Sequence, residues 1–258
     1  MNNNPGFFDF AAEVGLTKHI GSLEATETLL ALCHISKDSY VLDVGCGVGA
    51  TACWLAKRVG CRVVGVDILP KMVARSQERA QREKVAGRVE FKVADAQALP
   101  FEDNLFDAVL TESVTAFPAD KQKAVTEYAR VTRPGGYVGL NETTWLKMPP
   151  PPEVVAWAAQ DVGASVKPLP PDEWAGLLEA TGLKGIVKRT SPVDLKNEAQ
   201  GILKRYGLGG MLCVMGRMLR LYASSPAYRE FAKGVRQGGL VPANLVEYFG
   251  YGLFVGRK

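Results

Sequence analysis

The sequence predicts a doubly wound α/β fold in which a mostly parallel sheet of seven strands carries an added helical cap. Short runs rich in valine and leucine alternate with segments of helical composition, a pattern typical of βαβ units. The first run, residues 41–44, leads straight into three glycines at alternate positions and then into a helix. Later runs end on acidic residues. Parallel strands of an open sheet share one carboxyl edge, so we expect these acids to meet where ligands bind.

The first 142 residues account for five of the strands. After a helix near 6–15 and another at about 22–35, strands are expected at 41–44, 62–67, 89–95, 106–112 and 137–142. The helices between them are expected at 50–57, from about 70, and at 119–132, where Pro134-Gly135-Gly136 ends the last one. The second half is expected to add helices at about 153–162, 172–180 and 195–240, with strands at 184–189 and 247–255.

We expect the whole chain, 1–258, to form a single domain. Its core is placed at about 23–192 and 245–258, and its cap elements at about 1–22, 146–170 and 193–244. Aromatic residues near the amino terminus are suited to closing over a pocket. The apolar stripe from Leu208 to Tyr222 is expected to be core or a contact in a homodimer.

Composition narrows the class of protein. The chain is 47% hydrophobic and 22% charged, which is ordinary for a globular enzyme. Its net charge of +4 comes from scattered basic residues, so no nucleic-acid partner is expected. Five cysteines at irregular spacing form no metal-binding pattern and suit reduced thiols in the cytoplasm, and no metal is expected. We see neither a signal peptide nor an apolar run of the roughly 18 residues that span a membrane.

Four segments resemble one enzyme family. They are the glycine motif at 41–49, the acid Asp67, the segment 94–101 around Asp95, and Phe106-Asp107 with the later Arg133-Pro134-Gly135-Gly136. Together they resemble the class I methyltransferases that use S-adenosylmethionine and have a Rossmann-like fold. The resemblance extends over about residues 38–142.

The resemblance implies roles at the methionine end of S-adenosylmethionine. Asp43 would attract the ammonium group of this cofactor. Gly45, Gly47 and Gly49 would form the turn whose backbone approaches the cofactor, since glycine has no Cβ. Glu112 would lie beside the end that carries the methyl group.

It also implies roles at the nucleoside end. Asp67, which ends the second strand, would accept hydrogen bonds from the ribose hydroxyls. Asp95 would accept from the adenine amino group, and Ala96 would supply a backbone N–H. Ile68 and Ala96 would enclose the adenine ring.

The acceptor side is predicted from fewer observations. A base is needed only when the attacking atom must lose a proton. His19, in a loop just before the core, is the first candidate for that base, and Glu142 is the second. Asn141, Glu142 and Trp145 end or follow the fifth strand, so Asn141 and Trp145 are expected to line the acceptor pocket.

These features predict transfer of a methyl group to a small acceptor, lipophilic acceptors included. Two alternatives stay open. One is a non-catalytic protein that binds S-adenosylmethionine or a partner, and the other is a nicotinamide-linked oxidoreductase. The Gly-x-Gly-x-Gly spacing, with an acid in the preceding strand, favours S-adenosylmethionine over the G-x-G-x-x-G turn of nicotinamide enzymes. Whether N, O, S or C accepts the methyl group stays open.

Overall fold

One seven-stranded sheet organises the molecule. The computed structural model describes residues 7–17, 19–161, 168–236 and 241–258, so parts of the predicted cap lie outside the described residues. The strands are β1 (Tyr40–Val44), β2 (Arg62–Asp67), β3 (Val89–Val93), β4 (Phe106–Glu112), β5 (Thr132–Trp145), β6 (Lys184–Pro192) and β7 (Phe249–Arg257). The helices of the described ranges are α1 (Phe7–Val14), α2 (Ser22–Leu32), α3 (Ala50–Arg58), α4 (Pro70–Arg82), α5 (Lys121–Val131), α6 (Pro152–Asp161), α7 (Pro171–Glu179), α8 (Leu195–Ser224), α9 (Pro226–Arg236) and α10 (Leu245–Tyr248).

The strand order is β3-β2-β1-β4-β5-β7-β6. The pairs β1–β2, β1–β4, β2–β3 and β4–β5 are parallel, whereas β7 runs antiparallel to both β5 and β6. The predicted doubly wound, mostly parallel sheet is therefore confirmed. The strand order reverses at β1, between β2 and β4, so the carboxyl edge there is the place where such sheets form a ligand crevice.

Strand β5 is longer than the sequence predicts. Its antiparallel pairing with β7 continues from Tyr137 to Trp145 because β7 offers a partner along that whole length. Asn141 and Glu142 therefore lie inside the strand, so the expectation that they end or follow it is wrong for these two residues, whereas Trp145 is its last residue. The Pro134-Gly135-Gly136 segment lies within the start of β5, which begins at Thr132 directly after α5 ends at Val131.

Alternate residues of the strands pack on opposite faces of the sheet. Val41 and Val63 belong to a cluster with residues of α2, α3 and α4. Their neighbours Leu42 and Val64 belong to a second cluster with residues of α5 and α7. This period of two, buried on both faces, explains why the strands appear in the sequence as continuous apolar runs.

A third cluster joins the cap to the carboxyl edge of the sheet. Phe10 of α1, Tyr206 and Val214 of α8, and Tyr228 of α9 pack together with Met72, at the start of α4. The same cluster includes residues of the glycine turn. The cap therefore rests on the turns that follow β1 and β2.

Helix α8 buries only part of its apolar surface. It is interrupted at Gly207, which has the non-helical angles φ 64° and ψ 171°. Beyond this kink Val214 is buried, but Leu208, Leu212 and Leu219 are 76%, 68% and 70% exposed. The sequence predicts that the 208–222 stripe is core or a contact in a homodimer, and these three residues are not core, because no described element covers that side of the helix. No helix in the described ranges is long and apolar enough to cross a membrane.

We expect Trp174→Ala to destabilise the fold by about 3–5 kcal/mol. Trp174 is fully buried on α7, packs on Phe254 of β7, and donates from its indole N–H to the Thr143 carbonyl oxygen at 3.0 Å. Urea denaturation measures the change. Val155→Ala, at an exposed position of α6, is the control. If Trp174→Ala lowers the free energy of unfolding by less than about 1 kcal/mol, the result would contradict this packing.

Candidate active site

A cavity of about 630 Å³ opens at the carboxyl edge of the sheet. Its floor is formed by residues that end or follow β1, β2 and β4, and its other walls include Phe7 and Phe8 of α1 and Arg205 of α8. Phe8 packs edge-to-face on Phe117, with ring centroids 5.1 Å apart. The lining includes these residues named in the sequence analysis: His19, Asp43, Gly45, Gly47, Asp67, Ile68, Asp95, Ala96 and Glu112.

The glycine turn brings main chain to the cavity wall. Gly45 and Gly47 have φ angles of 70° and 54°, in the left-handed region that disfavours other residues. A Cβ atom on Gly45 would lie 2.3 Å from the Val114 side chain, and one on Gly47 would lie 2.9 Å from the Thr17 hydroxyl oxygen. Gly49 lies at the N-cap of α3 and is not among the lining residues. The turn therefore leaves backbone, without side chains, facing the cavity.

Asp43 is a buried acid with an unpaired oxygen. It is 3% exposed, and its Oδ2 has no hydrogen-bond partner in the described part of the chain. Burial raises its pKa to about 8; the negative charges of Glu112 and Asp67 act in the same direction, and the Arg205 charge acts against them. The carboxyl group is therefore mostly protonated at neutral pH, and a cation placed beside it would favour its ionised form.

Asp67 and Asp95 sit at the other end of the cavity wall. Asp67 Oδ2 accepts from the Gly47 N–H and its Oδ1 from the Leu69 N–H, both at 2.9 Å. Burial raises the pKa of Asp67, against these backbone hydrogen bonds. Asp95 Oδ1 accepts from the Gln97 N–H at 2.9 Å. Each carboxylate keeps acceptor capacity for hydroxyl or amino donors. Next to Asp67, the 61% exposed side chain of Ile68 offers an apolar surface.

His19 and Glu112 form a buried polar pair at the inner end of the cavity. Glu112 accepts from the Thr26 and Thr51 hydroxyls at 2.8 and 2.9 Å, and its Oε2 lies 3.2 Å from His19 Nε2. Burial lowers the pKa of His19 to about 4, and the Arg205 charge lowers it further while Glu112 opposes both. For Glu112, burial acts to raise the pKa, but His19, Arg205 and the two threonine hydroxyls outweigh it and keep the pKa below its ordinary value. At neutral pH, a neutral imidazole therefore faces an ionised carboxylate.

The two ring nitrogens of His19 have different neighbours. Nδ1 lies 3.0 Å from the Ile20 carbonyl oxygen, whereas Nε2 lies 3.2 Å from Glu112 Oε2 and is contacted by the Arg205 guanidinium. Arg205 also donates to the Thr26 hydroxyl at 3.1 Å, but pairs with no carboxylate among the described residues. The Arg205 charge in the inner cavity thus has no direct anionic partner in the part of the chain that the structure describes.

The first half of α8 is tied to the segment that carries His19. The Tyr206 hydroxyl donates to the Thr17 carbonyl oxygen and accepts from the Thr17 N–H, both at 2.8 Å. Glu198 accepts from the Gly21 N–H at 2.6 Å. These bonds hold Arg205 against His19, so the cap and the loop before the core meet inside one cavity.

The other predicted acceptor-side residues lie behind the cavity wall. Glu142 is fully buried and accepts from the backbone N–H groups of Val114 and Thr115 at 3.0 and 2.6 Å; burial raises its pKa to about 7 against these hydrogen bonds. Asn141 donates to the Ile20 carbonyl oxygen at 2.8 Å. Trp145 packs on Phe249. None of the three predicted residues is in the cavity lining, although Asn141 pairs in register with the lining residue Glu112.

Sequence reasoning missed Arg205, Thr26 and Thr51. The two threonines lie on helices α2 and α3, where a hydroxyl carries no functional signal of its own. Arg205 comes from a cap helix far along the chain, and nothing in its local sequence distinguishes it from a solvated arginine. In the described ranges, no three His, Cys, Asp or Glu residues are grouped to hold a metal ion.

Comparison with known proteins agrees with the fold. The family model described as a methyltransferase domain matches residues 42–140. An uncharacterised protein of Haemophilus influenzae is 30% identical over 215 residues, which cover 82% of this chain and 85% of that protein. The chain belongs to the class I methyltransferases that use S-adenosylmethionine, and S-adenosylmethionine is its cofactor.

Named relatives match shorter segments. The 27-O-demethylrifamycin SV methyltransferase of Amycolatopsis mediterranei is 31% identical, over 71% of this chain and 66% of that enzyme. The chloroplastic tocopherol O-methyltransferase of Arabidopsis thaliana is 37% identical, over 41% of this chain and 30% of that enzyme. The chain thus covers just under two thirds of the first enzyme and less than a third of the second.

A solved structure has the same fold along nearly the whole chain. The methyltransferase from Geobacter sulfurreducens, determined in complex with S-adenosyl-L-homocysteine, superposes with a TM-score of 0.70 at 23% identity and covers 98% of each chain. The unpaired oxygen of Asp43 and the open backbone at Gly45 and Gly47 fit a cofactor that carries an ammonium group.

We expect Asp43→Asn to stabilise the ligand-free protein at neutral pH. The pKa of Asp43 is about 8 in the folded state, against an ordinary value of 3.8 for a solvated aspartate, so the stability it contributes is complete below about pH 4 and is lost as pH rises through 8. Asparagine resembles the protonated form and does not titrate. Between about pH 6 and about pH 8, the free energy of unfolding of the wild type should fall, relative to that of the variant, by up to about 1.4 kcal/mol per pH unit.

Urea denaturation of both proteins at the two pH values measures this difference. Glu142 also titrates near neutral pH, but it is common to both proteins and cancels in the comparison. A difference that does not change with pH would show that Asp43 is already ionised in the folded protein.

Proposed function

We propose that this protein transfers the methyl group of S-adenosylmethionine to a small acceptor, lipophilic acceptors included. The observation that carries the proposal is the joining of two features in one cavity. The glycine turn and Asp43 form one part of its wall, while the His19–Glu112 pair lies at its inner end and the rings of Phe8 and Phe117 border it. A rifamycin and a tocopherol methyltransferase among the relatives support a small acceptor.

The cofactor-side residues hold the donor in one orientation. When bound, S-adenosylmethionine supplies a methyl group on a positively charged sulfur. Asp43 would pair with its ammonium group and become ionised as it does so. Asp67 would accept from the ribose hydroxyls, while Asp95 and Ala96 would bind the adenine edge and Ile68 would cover the ring. Fixing both ends in this way supplies much of the acceleration of a displacement, since alignment is its main requirement.

The acceptor-side residues would manage a proton. As the acceptor atom bonds to the methyl carbon, the carbon–sulfur bond breaks and its electron pair stays on sulfur. An acceptor that carries a proton would lose it to Nε2 of His19, and the Glu112 carboxylate would stabilise the resulting imidazolium. Arg205 must move off Nε2 for this step. We assign Glu142 a positioning role, because its carboxyl group holds the N–H groups of the turn that contains Val114.

Arg205 is suited to bind the carboxylate at the methionine end of the cofactor. Its charge lowers the pKa of both Asp43 and Glu112, so it acts at the end of the cavity where the ammonium group would lie. It has no ion-pair partner among the described residues, and an α-carboxylate would supply one. Asp43 of the core would then bind the ammonium group of the cofactor, and Arg205 of the cap would bind the carboxylate of the same amino-acid group.

We expect Arg205→Gln to weaken binding of S-adenosylhomocysteine by roughly tenfold or more, the loss of one charge-assisted hydrogen bond. Binding of 5′-methylthioadenosine, which lacks the amino-acid group, should not change. Isothermal titration calorimetry measures both. Arg220→Gln, at an exposed position of the same helix, is the matched control and should bind both compounds like the wild type. If Arg205→Gln lowers the affinity for both compounds equally, the result would indicate a structural role for Arg205.

Methyl transfer itself is tested with methyl-labelled S-adenosylmethionine and pools of phenols, amines, thiols and quinols. We expect the wild type to label one pool and Asp43→Asn to label it far more slowly. S-adenosylhomocysteine, and not NAD, should raise the melting temperature. Binding of S-adenosylhomocysteine without a labelled product from any pool would favour the non-catalytic binding protein instead.

A further inference from the structure

The second half of α8 presents an apolar stripe to solvent. Leu208, Leu212, Met215, Leu219 and Tyr222, here called the outer stripe, are 76%, 68%, 53%, 70% and 53% exposed. Their spacing of four, three, four and three residues places them along one face of the helix. The opposite face packs on the cap cluster through Val214. A helix that is apolar on both faces but covered on one exposes more apolar surface than a solvated helix normally does.

The part of α8 that carries the outer stripe contains no acidic residue. Residues 199–229 contain five basic residues and no acidic residue. Arg217 pairs with Glu78 on α4, whereas Lys204 and Arg220 are exposed and form no ion pair with a described residue. An apolar face with uncompensated basic residues beside it is the pattern of a helix that lies on an anionic lipid surface.

A second copy of this chain fits the outer stripe less well. Paired helices with a four–three repeat are usually supported by opposite charges beside the seam. The half of α8 that carries the stripe, residues 208–224, contains two arginines and no acid, so two copies paired along it would have no acid on that helix to balance Arg220. Like charges at such positions are destabilising. Charge complementarity therefore selects the lipid surface.

We propose that the outer stripe of α8 docks the protein on an anionic lipid surface, with its apolar side chains among the acyl chains and Arg220, on the same half of the helix, at the headgroups. The first half of the same helix carries Arg205 into the cavity, so docking would bring lipid close to the elements that enclose the site. This inference is independent of the proposed function, because lipid binding is measured without cofactor or acceptor.

Flotation of the full chain with vesicles tests the proposal. We expect binding to vesicles of equal parts phosphatidylcholine and phosphatidylglycerol, little binding to phosphatidylcholine alone, and loss of binding as salt is raised. The double variant Leu212→Gln/Leu219→Gln should lower partitioning by roughly tenfold or more. Arg220→Gln should lower it roughly fivefold, the factor for one basic residue near such a surface.

Val155→Gln is the matched control, since it makes the same kind of change at an exposed apolar position of α6 and should partition like the wild type. Unchanged affinity for S-adenosylhomocysteine verifies that each variant is folded. The proposal is overturned if the wild type does not bind the mixed vesicles, or if the double variant binds them equally well. It is also overturned if the wild type is a dimer in solution that the double variant converts to a monomer, because a second copy would then cover the stripe.

Discussion

The burial of Asp43 at the end of β1 is the constraint on which the site depends. A carboxyl group with an unpaired oxygen destabilises the ligand-free fold whenever it is ionised, so nothing about packing favours it there. It is tolerated because the sheet around it is held on both faces by helices. The same burial makes the group responsive to a cation. With the ammonium-binding role proposed for Asp43, stability of the ligand-free fold and cofactor binding make opposite demands on this one side chain.

The core could be predicted from the sequence because its signals are local. Apolar runs such as 41–44 are buried on both faces, and acids such as Asp67 mark the strand ends that meet at one edge. The length of β5 could not be predicted in the same way, since it depends on pairing with β7, which lies over a hundred residues further along the chain. From the sequence alone, Pro134-Gly135-Gly136 indicates only the end of the preceding helix.

The cap was predicted less completely for a related reason. Periodicity identifies which residues share a face of a helix, as it does from Leu208 to Tyr222, but it does not tell whether another element covers that face. For the same reason, the sequence around Arg205 does not tell which residues surround its side chain. Its place in the cavity is set by Tyr206 and Glu198, which bind backbone groups near His19 almost two hundred residues earlier.

The position of β7 has a consequence for how the chain folds. It is the last of the seven strands in chain order, yet it lies between β5 and β6. During synthesis, β5 and β6 therefore emerge before the strand that separates them, and each has an open edge until residues 249–257 arrive. Trp174 lacks Phe254 for the same interval. We expect the half of the sheet around β1 to form first, with insertion of β7 between β5 and β6 as the slow step of folding.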